Sequence, residues 1–566
     1  MSSRKGALKS FVAVAALLSA LQGTRSAFGD EAIREAFENG FVIPFLPGNL
    51  VVSRVVYDND PSLIKAGVTQ LPPNCVGSAC VTATADGTYP FVFNNVLVDP
   101  AFGVTAKIYL DQMIPTGHLI NSLEVPNSSQ FGVSSARGQM VSSFSSKSEL
   151  ALNLSTDGRF VTFMGYLAPV GAVDISNSNT PGVVDPTNPV AENNFRLVAK
   201  VDKFGRFEFT KTNAYSGNNG RAAILHPTAA GDLVYMMGNA GNGSNPQPNG
   251  VILGAGAQIL TASSAPLAAQ DPGLPTPVGS FSITQLGLKS DKVGKDTNFR
   301  GLTIFDDVVY ATKGSGGTGI NSLYFIDTSG FDSNGKPLAC PNGVGVPKPH
   351  ASLPSSPIVY TAAALQSQGV TPYNMCILKG FPAVTKNATF FPFGVWFANA
   401  KTLYVADEGD GTTTFDAGKG LFTAAAAQTA AGLQKWVFND ATGAWQLAYT
   451  LNAGLNLGVP YTVPGYPTGN NAATGLPWSP ATDGLRNLTG HVNEDGTVTV
   501  WAITSTVSGS GDQGADPNKL VVITDRLAAT SLPAAESFRT VRTARSGEVL
   551  RGVSFAPGTQ QLARRW

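Results

Sequence analysis

The feature that most constrains this chain is a strand-rich unit that recurs along it. The clearest copy runs from Phe299 to Asp327, where two apolar runs meet at Asp306-Asp307 and a third run follows a Gly/Ser loop. Apolar runs of four to eight residues bounded by Asp and Gly are typical of short antiparallel strands. We therefore expect three strands in this copy, at residues 300–305, 308–312 and 321–327.

Six such units open at one alignable position, and arginine is the commonest residue there. The aligned residues are Glu149, Arg221, Arg300, Phe393, Arg486 and Arg551. They are separated by 72, 79, 93, 93 and 65 residues, which leaves room in each unit for about four strands and a variable loop. Propeller blades of four antiparallel strands fit this spacing, because the blade stays constant while its loops vary.

The chain is therefore predicted to be an all-β, six-bladed β-propeller, with seven blades as the alternative. The last opening is followed by only one strand, whereas residues 49–125 contain strands but no opening. We expect residues 551–557 to supply the innermost strand of the N-terminal blade, which joins the chain ends and removes a free sheet edge. A pair of β-sandwiches is the competing architecture, but no linker or composition break divides the chain near its middle.

The N-terminus has the pattern of an export signal. Basic residues precede a run of roughly 11 apolar residues at 11–21, and small residues that suit cleavage follow. Such a run is short against the roughly 20 residues that span a bilayer. We expect a signal peptide at 1–29, no membrane span, and a secreted protein (periplasmic in a Gram-negative source). Residues 30–566 are predicted to be one propeller domain with loop insertions at about 58–96 and 328–390.

The balance of positive and negative residues makes nucleic acid an unexpected partner for this chain. Charged residues make up 13% of the chain, and Lys plus Arg equals Asp plus Glu at 38 each. A chain without net charge is not expected to bind nucleic acid through its overall field. Low charge with 62 glycines in 566 residues favours an extracellular all-β protein.

Export makes disulfides the expected state of the four cysteines. Four cysteines allow three pairings, and two of these link distant loops. The pairing that we expect is Cys75 with Cys80 and Cys340 with Cys376.

Sequons predict glycosylation if the host glycosylates. Those at Asn153 and Asn487 fall inside predicted strands and are weaker candidates. The predicted acceptors are Asn127, Asn242 and Asn387.

The repeated Arg-Gly opening and the Tyr404–Asp407 strand end (Y-V-A-D) resemble the secreted six-bladed propellers. That loose group includes calcium-dependent lactonases, propeller phytases and soluble quinoprotein dehydrogenases. The resemblance covers roughly residues 49–557 and concerns the fold. No catalytic signature of these families is complete here, and a fold does not carry its function with it.

The arginines at the openings are the main candidate ligand-binding residues. In a propeller the innermost strands line a central channel, so these residues would face one of its mouths. Guanidinium groups there could bind a carboxylate or phosphate through charge-assisted hydrogen bonds. Alternatively, each arginine hydrogen-bonds groups of the neighbouring blade and has a structural role, which we call the latch interpretation. The set is Arg221, Arg300, Arg486 and Arg551, completed around the ring by Glu149 and Phe393.

Calcium is a cofactor that the resemblance implies, since lactonase-like propellers hold it with Glu, Asn and Asp at the strand openings. The comparable residues here are Glu149, Asn219, Asn298 and Asp483. The acid-rich stretch 407–411 lacks the spacing of an EF-hand and also fits a polar turn.

Function stays open among three classes at this point. The leading hypothesis is an exported scaffold that binds a small anionic ligand or a partner protein at an arginine-bearing funnel. The alternatives are a calcium-dependent hydrolase of lactones or phosphoesters and a quinoprotein oxidoreductase. His226 and His491, each five residues after an opening arginine, could act as bases, but no catalytic residue is assigned.

Overall fold

The computed structural model describes most of the chain from residue 45 onward. The described residues are 45–72, 75, 80–93, 103–144, 150–185, 188, 190–241, 256–262, 267–269, 275–288, 298–314, 319–333, 336–358, 373–385 and 389–559. The predicted signal peptide at 1–29 lies outside them, as do Glu149, Asn242 and Asn387.

Strands dominate the described chain. In chain order they are β1 (Leu50–Val56), β2 (Gln70–Leu71), β3 (Val81–Thr82), β4 (Thr105–Met113), β5 (Leu119–Glu124), β6 (Ser142–Ser143), β7 (Asn153–Leu154), β8 (Phe160–Tyr166), β9 (Arg196–Asp202), β10 (Phe207–Thr212), β11 (Gly220–Thr228), β12 (Gly231–Gly238), β13 (Ala257–Thr261), β14 (Leu267–Ala269), β15 (Pro277–Gly279), β16 (Phe299–Phe305), β17 (Val308–Lys313), β18 (Ser322–Ile326), β19 (Val344–Gly345), β20 (Met375–Leu378), β21 (Pro392–Asn399), β22 (Thr402–Asp407), β23 (Phe415–Asp416), β24 (Leu421–Phe422), β25 (Gly432–Asn439), β26 (Ala444–Leu451), β27 (Ala481–Val492), β28 (Thr497–Val507), β29 (Lys519–Arg526), β30 (Arg539–Thr543) and β31 (Glu548–Phe555). The helices are α1 (Thr423–Ala427) and the 3-10 turns Phe91–Phe93, Ile175–Asn177 and Ile283–Leu286. Within the described ranges, no helix is long and apolar enough to cross a membrane.

Six sheets of four or five strands form the blades. From the centre outwards, blade 1 is β31-β1-β4-β5 with β6 beside β4, blade 2 is β7-β8-β9-β10-β14, blade 3 is β11-β12-β13-β15, blade 4 is β16-β17-β18-β20-β19, blade 5 is β21-β22-β25-β26 and blade 6 is β27-β28-β29-β30. Each innermost strand contacts the innermost strand of the next blade, and β27 contacts β31 to close the ring. The prediction of a six-bladed β-propeller is confirmed.

Closure occurs as predicted, through the two ends of the folded chain. β31 pairs antiparallel with β1, with Leu50 opposite Phe555 and Val56 opposite Glu548. Arg54 of β1 reinforces the blade through ion pairs to Asp111 on β4 (2.6 Å) and to Glu548 on β31 (3.0 Å). The innermost strand of blade 1 therefore comes from the far end of the sequence.

The recurring unit from Phe299 to Asp327 has its three predicted strands, as β16, β17 and β18. Asp306 and Asp307 join β16 to β17 with φ values of 48° and 58°. A two-residue hairpin turn with both φ values positive matches the right-handed twist of its strands, and Asp tolerates that backbone region.

The two predicted insertions differ in content. The first carries the small hairpin β2–β3 and the Cys75–Cys80 disulfide. The second is not loop throughout, because it contains β20, which pairs antiparallel with β18 as a strand of blade 4. This run of four apolar residues lies far along the chain from β18, so no adjacent run marks it as the partner of that strand. The Cys340–Cys376 disulfide ties the insertion to this strand, so both predicted disulfides are confirmed.

The apolar core lies largely between blades. Trp436 of blade 5 stacks on Phe381, which follows β20 of blade 4, with ring centroids 3.9 Å apart. Trp501 of blade 6 meets Phe555 of blade 1 edge to face at 5.6 Å. Both tryptophans therefore pack between blades.

Candidate functional site

The residues that open the innermost strands form a ring around the channel. At five of the six junctions, the residue that follows one ring residue lies against the carbonyl oxygen of the ring residue in the next blade. Ala151 N donates to Arg221 O (3.2 Å), and Asn487 Nδ2 donates to Arg551 O (2.8 Å). The ring positions, from blade 1 to blade 6, are Arg551, Leu150, Arg221, Arg300, Phe393 and Arg486.

This ring differs from the predicted one by a single residue in blade 2. The carbonyl oxygen of Leu150 lies 2.6 Å from the position that a Cβ on Gly552 would occupy. The carbonyl oxygen of Phe393 packs against Gly301 of the preceding blade in the same way. Leu150 therefore takes the position predicted for Glu149, which is outside the described residues. Leu150 has a left-handed φ of 45°, a kink that sequence alignment of the openings does not register.

Two ring arginines share one aromatic ring and one carboxylate. The guanidinium carbons of Arg300 and Arg486 lie 5.3 and 5.0 Å from the centroid of the Phe393 ring. Both reach Glu408, with Nη2–Oε distances of 3.6 Å from Arg300 and 3.1 Å from Arg486. Phe393 thus contacts a cation from each neighbouring blade, and Glu408, in the chain just after β22, supplies the negative charge between them.

A third arginine approaches from blade 1. The Nη1 atoms of Arg486 and Arg551 lie 2.1 and 3.0 Å from the position that a Cβ on Gly514 would occupy. Arg551 Nη2 also donates to the carbonyl of Phe144 at 2.8 Å. We call Arg300, Phe393, Glu408, Arg486 and Arg551 the arginine cluster.

Arg221 bonds the opening of the next blade. Its Nη1 donates to the side-chain oxygen of Asn298 and to the carbonyl of Phe299 (3.3 Å). Arg300 Nε similarly donates to the carbonyl of Gly314 at 3.2 Å. Contacts to carbonyl groups are what the latch interpretation predicts, whereas the convergence of Arg300, Arg486 and Arg551 is what a ligand site requires.

Two buried acids flank the cluster. Burial raises the pKa of Asp407 to about 7, although the backbone amides of Phe391 and Gly409 donate to its carboxylate. Burial likewise raises the pKa of Asp483 to about 7. At neutral pH these groups supply less than two full negative charges, which shifts the local balance towards the arginines.

The calcium set does not fit the described geometry. Asp483 accepts hydrogen bonds from Gly411 N (2.9 Å), Gln428 Nε2 (2.6 Å) and Gln513 Nε2 (2.7 Å). The side-chain oxygen of Asn298 accepts from Arg221, so two of the set already use their oxygens on N–H donors. Asn219 is buried, and no group of three or more His, Cys, Asp or Glu in the described chain could hold a metal ion.

The remaining candidates lie away from the arginine cluster. Each histidine is five residues along its strand from a ring arginine, roughly 16 Å at the rise of a strand. A ring nitrogen of His226 contacts Thr156 Oγ1 at 2.8 Å, and His491 is exposed. Asn127 is buried, and its Nδ2 donates to Glu124 and to the carbonyl of Val125; a glycan on that nitrogen would replace one of these two N–H donors.

Glu408 is the residue that sequence reasoning undervalued, because it lies in what reads as a polar turn. Its partners come from blades 4 and 6, about a hundred and eighty residues apart in the chain, so no local pattern links them. The sequence contained one indication that blade 5 differs from the others. Blade 5 is the blade whose ring position carries an aromatic residue in place of arginine, and this same blade supplies the carboxylate.

Comparisons with known proteins identify no family and give only weak structural similarities. No family model matches the chain, and no curated protein sequence matches it. Among solved structures, it is similar to the PQQ-bound aldose sugar dehydrogenase of Streptomyces coelicolor, with 11% identity over 75% of this chain and 94% of that one (TM-score 0.29). The parainfluenza virus 5 hemagglutinin-neuraminidase ectodomain gives 10% identity over 75% and 77% (TM-score 0.33). A PL25 ulvan lyase gives 10% identity over 81% and 91% (TM-score 0.25).

Proposed function

We propose that this chain is an exported binding propeller that holds a small anion at its arginine cluster. The observation that carries the proposal is the approach of Arg486 to two other arginines. Its guanidinium shares Phe393 and Glu408 with Arg300, and its Nη1 lies beside Gly514 together with Nη1 of Arg551. Guanidinium groups brought together in a buried setting repel one another, and an anion offsets that repulsion through charge-assisted hydrogen bonds.

The burial of the cluster favours a small ligand over a protein side chain. The exposed fractions of Arg300, Arg486 and Arg551 are 8%, 5% and 3%. A carboxylate or phosphate ion can approach groups of such low exposure more readily than a folded protein surface can. The two disulfides support export, because such bonds persist mainly in oxidising compartments.

The test compares anions at matched ionic strength. We expect phosphate or acetate to raise the melting temperature of the parent protein above its value in chloride, and calorimetry to show saturable binding. Arg486→Gln should weaken binding by about tenfold to a hundredfold, since a hydrogen bond to a charged group contributes about 1.5–3 kcal/mol. Arg206→Gln is the control, because that arginine side chain is 74% exposed on blade 2 and lies outside the cluster.

Arg486→Lys keeps the charge but loses the planar fork, and it replaces the Gln variant if that protein does not fold. A parent protein without anion-specific stabilisation would refute the proposal. Equal binding by the parent and by a folded Arg486 variant would refute it as well.

A further inference from the structure

The carboxylate of Glu408 is buried without a hydrogen-bond donor. Its exposed fraction is 1%, and neither oxygen has a hydrogen-bond partner among the described residues, although both oxygens lie within ion-pair range of an arginine. The backbone holds it in place, since its N–H donates to Phe391 O (3.0 Å) and its carbonyl accepts from Ser505 Oγ (2.6 Å). A buried carboxylate in this state has charged partners but not the aligned hydrogen bonds that normally complete the offset of its desolvation.

Arg486, which lies next to Glu408, lacks an acceptor for one of its N–H groups among the described residues. Nε of Arg486 is buried and has no hydrogen-bond acceptor in the described chain. Its Nη2 is 3.1 Å from Glu408 Oε2, so the unmet donor and the unmet acceptors belong to one small site. A ligand that completes this site must therefore offer an acceptor and a donor close together.

We infer, on the basis of the proposed anion site, that the ligand is a small 2-hydroxy acid. Its carboxylate accepts from Arg486, and its hydroxyl donates to Glu408. Either ligand places a second negative charge near Glu408, but a plain carboxylate gives Glu408 no donor in return. An ammonium group could donate to Glu408 but would stand among three guanidinium groups, whereas a hydroxyl adds no charge. The short distance between Arg486 and Glu408 favours a hydroxyl on the carbon next to the carboxylate.

The experiment compares glycolate, acetate, methoxyacetate and glycine by calorimetry. We expect the parent protein to bind glycolate at least tenfold more tightly than acetate, because a hydrogen bond to a charged group has about that effect. Methoxyacetate, which has no hydroxyl donor, should bind no better than acetate. In Glu408→Gln the affinity for acetate should rise and the preference for glycolate should shrink. Asp440→Asn, in which the replaced side chain is 69% exposed, should keep the parent preference.

The outcomes separate this inference from the proposed function. Acetate and methoxyacetate could bind as tightly as glycolate, with the binding of all three dependent on Arg486. That result would support the anion site and contradict the hydroxy-acid inference. Preference for glycine would also overturn the inference. If no anion binds in an Arg486-dependent manner, both fail. The methoxyacetate comparison needs only the parent protein, so the inference remains refutable even if Glu408→Gln does not fold.

Discussion

At the scale of single residues, the recurring Arg-Gly pair has two separate causes. The glycine is required because the inner strand of the next blade approaches closely. A Cβ on Gly301 would stand 2.1 Å from the carbonyl oxygen of Phe393 and 2.9 Å from Thr312 Oγ1. Thr312 accepts from Gly301 N (2.8 Å) and donates onward to Phe393 O, so a hydroxyl and a glycine together join blades 4 and 5. The arginine contributes charge at the channel, while the glycine sets the distance between blades.

Gly301→Ala should therefore destabilise the protein by about 1–3 kcal/mol, as expected for overpacking against a backbone group that cannot rotate away. The measurement is the free energy of unfolding in denaturant. Gly418→Ala is the matched control, since its Cβ would meet only the Asp416 carboxylate, at 3.3 Å, and should change stability by no more than about 0.5 kcal/mol. Equal effects of the two substitutions would contradict the close-packing account.

At the scale of elements, a buried polar network joins blades 5 and 6. Asp525 of β29 accepts from Lys435 Nζ (2.9 Å) and from the hydroxyls of Tyr404 and Tyr449. Burial alone would raise the pKa of Asp525, but its hydrogen bonds, first that with Glu536 and then those with the two tyrosines and Lys435, lower the pKa below its ordinary value. Glu536 hydrogen-bonds Asp525, and its Oε2 is buried with no donor in the described chain. Two neighbouring carboxyl groups repel each other when both are charged, and a proton shared between them relieves that repulsion.

This sharing predicts a pH dependence of stability with a definite sign. Burial, together with the hydrogen bond to Asp525 and its charge, raises the pKa of Glu536 to about 7. An unfolded glutamate titrates near pH 4.3. Between about pH 4.3 and about pH 7 the folded state retains a proton that the unfolded state has released, so the free energy of unfolding falls as pH rises through that interval.

Glu536→Gln should remove this contribution, because glutamine does not titrate. We expect the stability difference between parent and variant to change between about pH 4.3 and about pH 7 and to be constant outside it. Denaturant unfolding at a series of pH values measures this difference. The buried acids Asp407 and Asp483, whose pKa values are also about 7, act in the same direction in both proteins and cancel. A difference that does not vary with pH would exclude the shared proton.

At the scale of the whole molecule, the ring depends on its last strand. β31 pairs with β1 and contacts the innermost strands of blades 2 and 6. Gly552, within β31, lies against the backbone of Leu150 and Leu152. Loss of this strand would expose an edge of blade 1 and open the channel wall on both sides.

Truncation after Arg545 should therefore destabilise all six blades together, by well over the roughly 1 kcal/mol of a typical point substitution. The measurements are the melting temperature and the cooperativity of unfolding. A chain that ends at Thr559 keeps every described strand and serves as the control. An unchanged melting temperature after truncation at Arg545 would show that the ring does not need β31.

Local patterning was sufficient for most blade strands, although not for β20, and for the number of blades and the manner of closure. Apolar runs between Asp and Gly define strands locally, and the repeated opening counts the blades, so six blades and the β31–β1 pairing were predictable. The pairing of Glu408 with Arg300 and Arg486, the role of Leu150 in the ring, and the Lys435–Asp525 network were not. Each depends on which side chains face one another after the ring closes. The charges that meet there come from blades far apart in the chain, where no periodic pattern connects them.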